Sequence, residues 1–118
     1  MEREELVWRL VLSWICDDYE NIDQCILRDV AKDGAICGLT LERGEIVNAL
    51  ATLIEQGMAK AYLLSNDAVE LDGMPPVEVV EEYFKTYFLA TRKGIDFHRA
   101  DDTAAPRKWS KAKRMRSA

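Results

Sequence analysis

The sequence contains no close cysteine pair, only one histidine and no long apolar run, and each absence removes a class of protein. Three cysteines, Cys16, Cys25 and Cys37, leave one over in any disulfide scheme. None stands in the C-x-x-C spacing that zinc sites usually bring, and His98 lies far along the chain from all three. They are expected as reduced, half-buried thiols. The apolar runs are a few residues long, where a membrane span needs about 20. Glu2, Glu4 and Glu5 stand where a secretory signal would carry its basic segment, so the cytoplasm is the expected compartment. There is no glycine-rich phosphate loop, nucleophile elbow or metal-ligand cluster. No catalytic, cofactor-binding or metal role is therefore assigned to any residue. The acid pairs Asp17-Asp18 and Glu81-Glu82 are expected as solvated surface.

What is present describes a globular chain. Its 118 residues, 48% hydrophobic and 31% charged, suit one domain with a core of its own. The net charge of −5 hides a division. Residues 1–98 carry nine Lys/Arg against nineteen Asp/Glu, whereas residues 99–118 carry seven Lys/Arg against two Asp. An acidic domain over residues 1–100 is thus followed by a basic extension over 101–118. The extension contains Arg107, Lys108, Trp109, Lys111, Lys113, Arg114 and Arg116.

Hydrophobic spacing predicts a helix over residues 3–16, with Leu6, Val7, Leu10, Val11, Trp14 and Ile15 on one stripe. A second stripe, Trp8, Leu12 and Cys16, runs beside it and leaves only Glu5, Arg9 and Ser13 as a polar arc. A helix this apolar must be covered on both sides, one by the core and the other by the C-terminal part of the chain or by a second copy. Residues 22–33 predict a second helix, with Asn21 and Gln24 as a capping-box variant and Gly34 as its stop. A third helix is expected over 41–56, with Thr40 as N-cap, an apolar stripe of Ile46, Val47, Leu50, Leu53 and Ile54, and a stop at Gly57-Met58. The period then changes. Strands are expected over Ala59–Ser65 and Tyr87–Ala90, with a turn at Asn66-Asp67 and a short helix over 77–83 after Pro75-Pro76. Thr91 is placed to cap a last helix through Gly94, Ile95, Phe97 and His98.

Two stretches carry a family resemblance. Ala49 to Ala61 combines an amphipathic helix, a Leu-x-x-Gly type of stop and a strand. Tyr87-Phe88-Leu89-Ala90-Thr91-Arg92-Lys93-Gly94 resembles the Tyr-x-Leu-Thr-x-x-Gly signature of many bacterial regulators. Over about residues 5–99 the chain resembles a winged helix-turn-helix domain. The resemblance implies an α+β, mainly helical fold, with a three-helix core, a two-stranded wing hairpin and a C-terminal helix. It also implies that the third helix reads the major groove and that the wing, roughly residues 59–91, touches flanking backbone.

On that basis Arg43, Asn48 and Thr52 are the candidate base-facing residues, and the basic extension is a candidate backbone or minor-groove arm in which Trp109 stacks. Charge argues the other way. The recognition face also carries Glu42, Glu45 and Glu55, and residues 66–82 hold six acids with no Lys or Arg, a poor match to phosphate. Two functions therefore remain open: a transcriptional regulator that binds duplex DNA, or a winged-helix protein-interaction and dimerisation module. For a homodimer the candidate seam is Trp8, Leu12 and Cys16.

Overall fold

A computed structural model describes residues 2–64, 66–75 and 86–101, apart from the Gln24 side chain. The expected helix over 77–83 and the basic residues Arg107 to Arg116 lie outside the described residues. The fold is α+β and mainly helical. Three helices, α1 (Arg3–Ile15), α2 (Leu27–Ile36) and α3 (Arg43–Glu55), precede a sheet of β1 (Ala59–Leu64), β2 (Ala68–Glu70) and β3 (Thr86–Ala90). A last helix, α4 (Arg92–Ala100), follows. The sheet is antiparallel in the order β2-β1-β3, with Ala61 opposite Phe88 and Leu63 opposite Val69.

The strand β2 adds a third member where a two-stranded hairpin was expected. The chain reverses at Asn66-Asp67, as its turn residues dictate, and Ala68-Val69-Glu70 immediately pairs back along β1. On the far side of β3, Glu20 exchanges both backbone bonds with Phe88, its N–H donating at 3.0 Å and its carbonyl accepting at 2.9 Å. This bridge ties the α1–α2 connection to the sheet.

Helix α1 sits at the centre. Val7, Leu10, Val11, Leu12, Trp14 and Ile15 are buried, as are Ile46, Leu50 and Leu53 of α3 and Phe88 of β3. Trp8 is covered by α4, its ring 5.4 Å from that of Phe97. The second stripe of α1 is therefore filled from within the chain. The arc expected to be polar is not simply solvated. Ser13 is buried and donates to the Leu10 carbonyl at 2.7 Å. Arg9 lies over the rings of Trp8 and Phe97 and bonds Asp101 and Glu5, each at 2.7 Å. Asp101 has only 2% of its side chain exposed, so this pair pins the end of α4 to α1.

Several helix ends differ from expectation for local reasons. The segment Ile22–Ile26 is a single π-helical turn, in which the Ile26 N–H reaches the Asn21 carbonyl at 3.0 Å. Asn21 does cap it, accepting from the Asp23 N–H at 3.0 Å, while its amide also donates to the Thr86 carbonyl. Gly34 does not stop α2. The stop falls at Gly38, with φ of +79°, and the Leu39 N–H closes back on the Gly34 carbonyl at 2.8 Å. Gly34 instead makes room for Leu41, since a Cβ there would lie 2.8 Å from Leu41 Cδ1. The N-cap of α3 is Glu42 rather than Thr40, and the Glu45 carboxylate accepts from the Glu42 N–H at 3.3 Å. At the other end of α3, Gly57 (φ +75°) stops the helix as expected, and the Met58 N–H bonds the Leu53 carbonyl at 2.8 Å.

Two glycine substitutions separate close packing from helix propensity. A Cβ on Gly94 would fall 2.1 Å from the Met58 carbonyl oxygen, a backbone atom that has nowhere to go. Gly94→Ala is expected to destabilise the fold by about 3 kcal/mol in urea unfolding, whereas Gly34→Ala, which presses on Cδ1 and Cγ of a Leu41 side chain that can shift, is expected to cost clearly less. Arg9→Met is expected to cost about 3 kcal/mol by the same measurement, because it leaves the Asp101 carboxylate buried without its cation.

Candidate partner-binding surface

Among the described residues, two grooves border α3. The first lies between α1 and α3 and is lined by Arg3, Glu4, Val7, Glu45 and Asn48, with a volume of about 340 Å³. Its walls are held together across 42 residues of sequence. The Arg3 guanidinium meets both oxygens of Glu45, at 2.8 and 3.1 Å, and donates to the Thr40 carbonyl at 2.6 Å. The Arg3 hydrogen bond, helped by the Glu42 N–H and by a smaller Coulombic share from Arg3, holds the Glu45 carboxyl below the usual carboxylate range. Of the residues expected on this face, Asn48 is exposed and lines the groove, and Thr52 is half-buried further along α3. Arg43 is half-buried at the first turn, where its Nε lies 3.4 Å from Asp23 Oδ1.

The second groove, about 190 Å³, lies between the end of α3 and the sheet. Ile54, Ala59, Ala61 and Leu71 give it an apolar floor, with Gly57 and Gly73 at its margins. Lys60, Glu70 and Asp72 supply the charged part of its lining, and Lys60 pairs with Glu70 at 2.8 Å.

The structure thus brings Asn48 together with Arg3 and Glu45, and sets Arg43 against Asp23. It does not make a surface of the candidate dimer seam. Trp8 and Leu12 are buried under α4, and Cys16 is half-buried at the end of α1. Arg3 went unread in the sequence because nothing local links it to Glu45. The second groove had no local signal, because the three residues of β2 are all exposed and show no core face.

Cys25 is half-buried, and burial together with the neighbouring Glu20 carboxylate pushes its thiol up. Cys37 is exposed. Among the described residues no group of three His, Cys, Asp or Glu is placed to hold a metal ion, and no helix is long and apolar enough to cross a membrane. Comparison with protein-family models, with curated proteins and with solved structures finds no match.

The Arg3–Glu45 clamp has a pH signature. A carboxyl held below its unfolded value adds stability above that value and loses it as pH falls through the folded one. Chemical unfolding of wild type and Arg3→Gln should show a constant gap above about pH 5, closing below about pH 4. A gap that stays the same through acid would remove Glu45 from the clamp.

Proposed function

We propose that this chain is a small regulatory protein of the winged-helix type whose folded body recognises a protein partner bearing basic charge. The order of three helices, an antiparallel sheet and a Thr91-capped last helix supports the winged-helix reading. One observation carries the choice of partner. Among the described residues, the cations on α3 and on the sheet are Arg43 and Lys60, and each already faces a carboxylate, Asp23 at 3.4 Å and Glu70 at 2.8 Å. Non-specific duplex affinity comes from cations that neutralise phosphate. A duplex on this face would have to displace both carboxylates and then meet Glu42, Glu55 and Asp72, which are exposed. A basic protein segment meets the same face with its charges matched.

Duplex DNA binding is the second reading, favoured by the seven Lys/Arg within residues 99–118 and by the exposed Asn48 on α3. The full chain with Arg107, Lys108, Lys111, Lys113, Arg114 and Arg116 changed to Gln separates the two in a gel-retardation salt series. The proposed function expects no duplex binding by this variant even at low salt, where non-specific attraction is greatest. Retained binding that Arg43→Ala weakens by about 1–3 kcal/mol at one base would instead make α3 a groove reader.

A further inference from the structure

We propose that the groove between α3 and the sheet is the docking site for this chain's own basic segment 107–116, with Trp109 seated on the apolar floor. This does not rest on the partner assigned above.

Three features lead to it. The groove has the shape of an anchor site. The half-buried Ile54 and Leu71 line it over the buried Ala59 and Ala61, its volume of about 190 Å³ has room for one large side chain, and an aromatic anchor in a small apolar pocket is the usual centre of a contact. Trp109 is the one tryptophan that α1 does not carry, since Trp8 and Trp14 are both buried in the core.

Charge selects the neighbours of that anchor. Lys60 of the lining is matched by Glu70, so the lining with Asp72 is net negative. The described residues of the adjoining stretch, 66–75, hold three acids, Asp67, Glu70 and Asp72, and no Lys or Arg. Trp109 is flanked by Arg107, Lys108, Lys111 and Lys113. Seating the tryptophan brings these cations to the acidic stretch.

The chain is also long enough. Helix α4 starts beside the groove, because the Thr91 hydroxyl donates at 2.6 Å to the carbonyl of Gly57, which lines it. Nine residues later α4 ends at Ala100, about 13 Å away along its axis. The eight residue steps from Asp101 to Trp109 span about 26 Å when extended, twice the distance needed to return. The docked segment would withdraw its cations from any phosphate ligand, so the contact would hold the basic segment in check.

Trp109 fluorescence tests this in the full chain, isolated as the difference between wild type and Trp109→Phe. Docking expects a blue-shifted Trp109 emission, shielded from acrylamide at low salt, that shifts red and loses its shielding at high salt. Leu71→Glu and the surface variant Asp72→Arg should each release it. The latter changes only an exposed side chain, and unchanged core emission from Trp8 and Trp14 verifies the fold of both variants. A Trp109 already open to acrylamide at low salt overturns the proposal. So does shielding that both variants leave intact, which places the segment elsewhere. Shielding that disappears on dilution would assign the groove to a second copy and overturn docking within one chain.

Discussion

The joint between the end of α3 and the start of α4 holds the arrangement of the whole domain. Three consecutive carbonyls at the end of α3 are taken up by the segment that opens α4. Lys93 Nζ donates to Gln56 at 2.7 Å, the Thr91 hydroxyl to Gly57 at 2.6 Å and the Thr91 N–H to Met58 at 3.0 Å. The hydroxyl that donates to Gly57 also accepts from the Gly94 N–H at 3.2 Å, so one side chain serves two helix ends. Carbonyls at a helix end are otherwise left to water or to a cap. The contact is tight because Gly94 presents no Cβ to the Met58 carbonyl.

Other features follow from this joint. With its first turn fixed against α3, α4 lies across the second apolar stripe of α1, and Phe97 meets Trp8. Arg9 fills the space between their rings and the buried Asp101, and so closes the far end of α4 onto α1. The chain thereby covers with its own residues a stripe that could equally have met a second copy. Because α4 and the sheet meet α3 at its C-terminal end, the first turns of α3 remain beside α1, where Arg3 and Asn48 border a groove.

Electrostatics gives this surface its character. Three cations near α3 and on the sheet pair with carboxylates at the surface, at Arg3–Glu45, Arg43–Asp23 and Lys60–Glu70. Exposed pairs of this kind add little stability. In the proposed reading their larger effect is on recognition, since a matched cation attracts phosphate less than an isolated one. The charge that the body lacks is concentrated in the segment beyond Asp101.

The residue pattern alone determined the elements that follow from local rules. Periodic apolar spacing defined α1 and α3, glycine at positive φ defined the stop at Gly57, and a threonine three residues before Gly94 defined the cap of α4, because each rests on neighbours within one turn. The same rules misplaced the stop of α2 and the cap of α3. Gly34 serves the packing of Leu41 from the next segment rather than a turn, and Glu42 with Glu45 outcompeted Thr40, whose carbonyl is taken by Arg3. The strand β2 was hidden because three exposed residues have no core face to mark them. The candidate surface was legible only in its residue types. That Asn48 would border a groove, that Arg43 would face Asp23, and that Trp8 would turn inward were decided by tertiary packing. These relations join residues 20 to 90 positions apart, and no local spacing encodes which distant partner a side chain will meet.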